Sequence, residues 1–212
     1  LTVSPSGDNQ RNVIVWMDHR AVEQAERINK TGNAVLRYVG GIISPEMETP
    51  KILWLKEHLP ATYQNARQYY DLADYLTYRA TGDRARSICT VTCKWTYLAH
   101  EKSWSADYFR QVGLGELAAD GFAKIGDRIV EPAVALGKGL TEAAAKDLGL
   151  APGTPVGASL IDAHAGAVGT IGAAVYDAHK EVNVLDRLAY IMGTSACIMA
   201  STAEPSLVPG VW

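Results

Sequence analysis

The chain has 212 residues, with 20 lysines and arginines against 23 aspartates and glutamates, for a net charge of −3 at pH 7. At 48% hydrophobic and 20% charged it is a globular sequence with ample core material, which excludes a disordered chain, and its lack of basic excess argues against a nucleic-acid partner. No apolar run approaches the roughly 18–20 residues of a membrane span, and no signal peptide opens the sequence. The β-branched run Asn12-Val13-Ile14-Val15-Trp16-Met17 reads as a buried strand, and Asp18 is placed to cap a helix over residues 20–29. Strand, polar residue and helix in that order open an α/β unit. Residues 48–58 carry Ile52, Leu53 and Leu55 at helical spacing, with Pro50 tolerated in the first turn. A short helix is expected over 60–67 and a short strand at 68–70. Asp71 then caps a helix over 72–80 that ends at Gly82. Residues 88–95 alternate small and branched side chains and read as a strand. Helices are expected over 105–112 and 116–120, followed by irregular Gly-rich structure over 122–139. Thr141 opens an amphipathic helix over 142–148, closed by Gly149. A small-residue strand from Val156 runs into Asp162, and a helix packed with Ala and Gly follows. Residues 176–183 form a polar connector, residues 188–192 a strand ending at Gly193-Thr194-Ser195, and an apolar run resumes over 196–200.

Several motifs fail on their surroundings. Gly113-Leu114-Gly115-Glu116-Leu117-Ala118 has the outline of a dinucleotide fingerprint, yet it follows a helical pattern where a strand is required, so it reads as an interhelix turn. Cys89, Cys93 and His100 match no zinc spacing, and inert thiols are the better reading. Three cysteines, an odd number at uneven spacing, fit no disulfide scaffold and suit a reducing, cytoplasmic compartment. Gly193-Thr194-Ser195-Ala196-Cys197 has Cys where a hydrolase nucleophile elbow needs its closing Gly, and no Walker A lysine loop exists.

What survives is a set of strand-end residues. Asp162 stands at the C-terminal end of an apolar strand, where ligands bind in α/β sheets, with small neighbours beside it; it either caps the following helix or takes part in chemistry. Gly193-Thr194-Ser195 offers backbone N–H donors and hydroxyls that suit a phosphate oxygen, or else a plain hairpin turn. Lys94-Trp95 reads on its own as a snorkelled surface pair.

Along nearly its whole length the chain resembles the FGGY carbohydrate kinases. The resemblance is carried by Val13-Ile14-Val15-Trp16-Met17-Asp18-His19-Arg20-Ala21, Tyr38-Val39-Gly40-Gly41, Pro50-Lys51-Ile52-Leu53-Trp54, Cys93-Lys94-Trp95, Leu160-Ile161-Asp162-Ala163-His164-Ala165-Gly166-Ala167 and Gly193-Thr194-Ser195. Within the family it is most similar to the ribulokinase branch, and Trp-Met-Asp-His-Arg-Ala together with Cys-Lys-Trp-Thr-Tyr is similar to the D-ribulokinase group. The resemblance implies an actin-like, ribonuclease-H-type α/β fold and ATP-dependent phosphorylation of a ketopentose, D-ribulose first, at a terminal hydroxyl. L-ribulose, xylulose, a pentitol or glycerol are alternative acceptors, and a non-catalytic sugar-binding protein of the same superfold is the other reading. The resemblance makes Asp162 the general base, in reach of Mg2+ through a water, and places Trp16 and Lys94 on the sugar. Gly193 and Thr194 approach the phosphate. Sugar and ATP-Mg are the implied partners, with neither nucleic acid nor membrane among them, and a homodimer is the assembly left open.

The family's opening Asp-x-Gly-Thr phosphate loop has no counterpart here, and neither does the adenine pocket. With Leu1 rather than Met at the start and an uncovered Trp212 at the end, the chain reads as a piece of a longer one, unable to turn over by itself. Residues 1–175 are expected to be the later part of the N-terminal domain, 176–183 a connector, and 184–212 the opening strands of the C-terminal domain.

Overall fold

The computed structural model of the protein describes residues 1–177, 180–193 and 196–211. Thr194, Ser195 and Trp212, all singled out above, lie outside the described residues. The chain divides into two compact units, Leu1–Ser159 together with Val208–Trp212, and Leu160–Leu207.

The larger unit is mainly helical. Its helices are α1 (Val22–Lys30), α2 (Glu48–His58), α3 (Pro60–Asn65), α4 (Leu72–Thr81), α5 (Ile88–Trp95), α6 (Ala106–Gln111), α7 (Gly115–Ala119) and α8 (Glu142–Leu148). Local chemistry sets several of their ends. Asp71 accepts from the Ala73 N–H at the start of α4, Ser105 from Tyr108 at α6, and Thr141 from Ala144 at α8, while Gly82 and Gly149 take the left-handed conformation that closes α4 and α8. The Gly113–Gly115 stretch is the turn between α6 and α7, with its N–H groups bonded to Arg110 and Phe109 carbonyls at its first two positions. Ile28, Met47, Leu55, Tyr108, Phe109, Leu114 and Ile125 lie at the centre of the core. Trp104 ties its edge together by stacking on Phe122 and donating to the Gly126 carbonyl at 2.8 Å.

Several expectations are corrected in this unit. Residues 12–17 form no strand: Val13, Val15, Trp16 and Met17 are exposed, and only Ile14 packs partly against the core. A strand needs a neighbour for its backbone groups, and no described segment pairs with this one. Asp18 does not cap α1, which starts only at Val22; its carboxylate instead accepts from the Arg20 backbone and guanidinium. Residues 88–95 are a helix, not a strand. Ser87 caps α5 by accepting from the Cys89 N–H, and Thr90 Oγ1 bonds back to the Ser87 carbonyl, so local capping overrides β-branched composition. The strand expected at 68–70 is likewise irregular, with the Tyr69 N–H bonded to the Lys124 carbonyl.

Among the described residues the strands of this unit form one parallel pair, β1 (Arg86–Ser87) with β2 (Ile129–Val130). The strand expected before Asp162 reduces to a single antiparallel bridge, Ala135 with Gly157, flanked by bonds from Ala158 N–H to the Val134 carbonyl and from Leu136 N–H to the Val156 carbonyl.

The smaller unit is helix α9 (Asp162–Ile171), a short hairpin of β3 (Tyr176–Asp177) with β4 (Lys180–Glu181), and an antiparallel pair, β5 (Leu188–Met192) with β6 (Ala196–Ala200). α9 lies close against β5: a Cβ added at Gly166 would stand 3.0 Å from the Ile191 side chain. Arg187 closes the C-terminal end of α9 by donating to the Ile171 carbonyl at 2.7 Å, and it also reaches the carbonyls of Ala173 and Val182. Leu188, Tyr190, Met192 and Ile198 leave the β5–β6 pair broadly exposed.

Candidate functional site

In the larger unit the residues around Trp16 and Lys94 are held by a network of charges. Lys51, in the first turns of α2, is buried, and its Nζ donates to the carbonyls of Val15 at 3.1 Å and Trp16 at 3.0 Å. This pins the non-strand segment that carries Trp16, a residue that is 51% exposed. Beside it Arg20 lies over the Trp54 ring at 4.3 Å, and His19 meets Glu46 at 2.8 Å. Burial works against ionisation of Asp18, but hydrogen bonds from Arg20 and the charges of Arg20 and Lys51 outweigh it and hold that carboxyl below its ordinary value.

Glu48, at the first position of α2, is the most perturbed acid of this network. Burial, and then the negative charge of Asp71, push its carboxyl up to about 8, against the pull of Lys94 and Lys51. Burial likewise holds the Lys51 ammonium below its ordinary value, although Glu48, Asp18 and Glu46 all favour its charge. Lys94 is in the last turn of α5, partly buried, and its charge acts on both Glu48 and Lys51. Lys51 thus holds the backbone at Trp16, and the charge of Lys94 bears on both Lys51 and Glu48.

The other end of α5 is anchored by Asp74, which is 1% exposed. Its carboxylate accepts from the Ser87 N–H at 3.0 Å, from Thr90 Oγ1 at 2.5 Å and from Ser159 Oγ at 3.1 Å. Cys89 is buried and Cys93 partly so, neither in a disulfide; the hydrogen bond with Cys89, then burial, push the Cys93 thiol up.

In the smaller unit Asp162 is the first residue of α9 and is exposed, its Oδ1 accepting from the Ala163 N–H at 2.7 Å. Gly193 follows directly after β5 and is also exposed. The other described carboxylates of that unit are Asp177, Glu181, Asp186 and Glu204, and among the described residues no group of three metal-ligating side chains includes Asp162.

A family model described as the N-terminal domain of the FGGY family of carbohydrate kinases matches residues 7–169. The chain belongs to that family. Among curated relatives, the FGGY carbohydrate kinase domain-containing protein of Homo sapiens is 51% identical over 217 residues, a match that covers 100% of this chain and 39% of that protein. The D-ribulokinase of Saccharomyces cerevisiae is 38% identical over 226 residues, covering 97% of this chain and 32% of the yeast protein. The FGGY chain therefore spans between about a third and two fifths of the length of these relatives. Among solved structures, the xylulose kinase from Rhodospirillum rubrum matches with a TM-score of 0.70 at 18% identity, over 95% of this chain and 39% of that one. The gluconate kinase from Lactobacillus acidophilus matches with a TM-score of 0.68 at 20% identity, over 87% and 34%. These likenesses give the FGGY chain its fold, the α/β fold of the actin-like ATPases, of which it covers part. Among its described residues no helix is long and apolar enough to cross a membrane.

Glu48 and Lys51 are the residues that reading the sequence missed as site residues. Pro50-Lys51 was visible as part of a family motif, but the role of each follows from burial and from partners distant in sequence. An acid three positions before a lysine in the first turns of an apolar helix was the available signal.

Proposed function

We propose that the whole protein carrying this chain phosphorylates a ketopentose, D-ribulose in first place, at a terminal hydroxyl. Membership of a carbohydrate kinase family supports the reaction class, and the likeness to the yeast D-ribulokinase supports the sugar. The observation that carries the site is the Lys51 ammonium, which fixes the backbone at Trp16 within the charge network of Lys94.

Trp16 offers an apolar face to the C–H face of the sugar, and Lys94 donates to its hydroxyls. Asp162 accepts the proton of the attacking hydroxyl as the oxygen–phosphorus bond forms, since a neutral hydroxyl is a poor nucleophile. ATP with Mg2+ supplies the phosphoryl group in this family. On the nucleotide side the described residues offer Gly193 at an exposed strand end and a single carboxylate at Asp162, which do not by themselves make an ATP-Mg site. The chemistry that belongs to this chain is therefore on the sugar side, and residues 1–212 alone should show no sugar-dependent ATP turnover. In the same reading residues 176–183 connect the N-terminal domain to the opening strands of the next.

Steady-state kinetics of the whole protein test this, with D-ribulose, L-ribulose, xylulose, pentitols and glycerol as acceptors. Asp162→Asn should lower kcat by roughly 10²–10⁴ with sugar binding kept within a few-fold. Trp16→Ala and Lys94→Ala should raise the sugar KM far more than the ATP KM. Near-normal kcat in the Asp162→Asn protein removes Asp162 from the mechanism, and a KM effect confined to ATP moves Trp16 or Lys94 to the other side of the cleft.

A further inference from the structure

We propose that residues 12–15 are a docking edge, which in the whole protein is paired as a strand by an extended apolar segment of the same polypeptide lying outside residues 1–212. The observation is a row of unused backbone groups. The N–H groups of Asn12, Val13, Ile14 and Val15, and the carbonyls of Asn12, Val13 and Ile14, have no hydrogen-bond partner among the described residues. The groups on either side are taken. The Arg11 N–H donates to the Asp8 carbonyl and the Arg11 carbonyl accepts from the Val3 N–H at 2.8 Å. At the other end the Val15 carbonyl accepts from the Asp18 N–H at 3.1 Å and from Lys51 Nζ. The unused stretch is therefore short, continuous and held at both ends.

The side chains say what kind of partner fits. Ile14 packs against the core while Val13 is 65% and Val15 55% exposed, the alternation of a strand with one face buried. Trp16 and Met17, in the turn that follows, are exposed as well. Apolar side chains exposed together mark an interaction surface, and the branched Val-Ile-Val run favours the extended backbone. A helix spends its backbone groups internally, so a run of unpaired N–H and C=O groups is answered by another extended backbone, as in strand addition to a sheet edge. An apolar strand would also cover Val13 and Val15. The polypeptide itself can supply it: the human relative, 51% identical over the whole of this chain, has most of its length outside the match, which covers 39% of it. A tethered segment that can span the gap meets the edge at an effective concentration far above that of a second copy in dilute solution. Trp16 follows the edge directly, so the same pairing would steady the ring proposed to face the sugar. That consequence rests on the proposed function, whereas the measurements below involve no sugar.

The test uses the whole protein. Amide hydrogen exchange should find the N–H groups of Val13, Ile14 and Val15 slowed at least about 100-fold relative to an unstructured chain, independently of protein concentration. This measurement needs no substitution, and a smaller slowing overturns the proposal. Its partner is identified by placing the photo-reactive p-benzoylphenylalanine at Val13 or at Val15 and mapping the product by peptide mass spectrometry. The cross-link should join the peptide that holds residues 12–15 to a peptide outside residues 1–212, at the mass of a single chain. A product at twice that mass overturns the proposal and gives the edge to a second copy. Cross-links confined to residues 1–212, or none from either position, overturn it too.

Discussion

Replacing Asp74 separates an acceptor's role from a charge's role. Asp74→Ala leaves the buried Ser87 N–H without an acceptor, while Thr90 keeps its bond to the Ser87 carbonyl at 2.8 Å and Ser159 loses its bond. One orphaned buried donor and two lost hydroxyl bonds amount together to roughly 2–5 kcal/mol. Asp74→Asn should cost about 1 kcal/mol or less, because each contact has a neutral replacement. The amide oxygen can accept from Ser87 N–H and Ser159 Oγ as Oδ1 does, and the amide NH2 can donate to Thr90 Oγ1 while Thr90 donates to Ser87. Equilibrium urea unfolding at pH 7, followed by tryptophan fluorescence, measures both. Burial raises the Asp74 carboxyl, against hydrogen bonds from Thr90, Ser87 and Ser159 and the charge of Arg86, so the folded protein holds this proton more tightly than the unfolded chain. Its contribution is full below the unfolded value of about 3.9 and is lost as pH rises through the higher folded value. Asp74→Asn should therefore flatten the stability profile in that mildly acidic window. Equal destabilisation by Asn and Ala, or an Ala variant as stable as wild type, would refute this account of the anchor.

Two further substitutions test other parts of the framework. Lys51→Met keeps the apolar stem but frees the Val15 and Trp16 carbonyls, so amide exchange over residues 12–17 should accelerate and the sugar KM rise roughly tenfold, the equivalent of one to two lost hydrogen bonds. Gly139→Ala forces a side chain into a left-handed conformation at φ 80° and drives its Cβ into the Thr154 and Gly153 carbonyls, so a thermal melt should show a loss of roughly 3 kcal/mol or more.

Helices whose ends are written locally were legible from sequence. Asp71 with Gly82, and Thr141 with Gly149, mark α4 and α8 because cap and breaker are single residues acting on their own neighbours. Residues 88–95 were misread because Ile88, Val91 and the threonines suggest a strand, while Ser87 and the distant Asp74 decide for a helix. Residues 12–17 were misread for the opposite reason: their composition suits a strand, but a strand exists only with a partner. At the site, Trp16, Lys94 and Asp162 came into view through family motifs rather than through spacing. Glu48 was hidden, since its raised carboxyl depends on burial and on the charges of Asp71 and Lys94, which lie far from it in sequence.

Arg187 gives the smaller unit a mechanical property. From its place just before β5 it grips the trailing end of α9 and the carbonyl of Val182, directly after β4, while Gly166 lets the middle of the helix rest against Ile191. Fastened at its end and along its side, α9 is tied to β5, so a shift of the β5–β6 pair is passed to the helix that begins at Asp162. A push on the exposed face of Leu188, Tyr190 and Ile198 is then delivered to Asp162 as displacement rather than absorbed as bending.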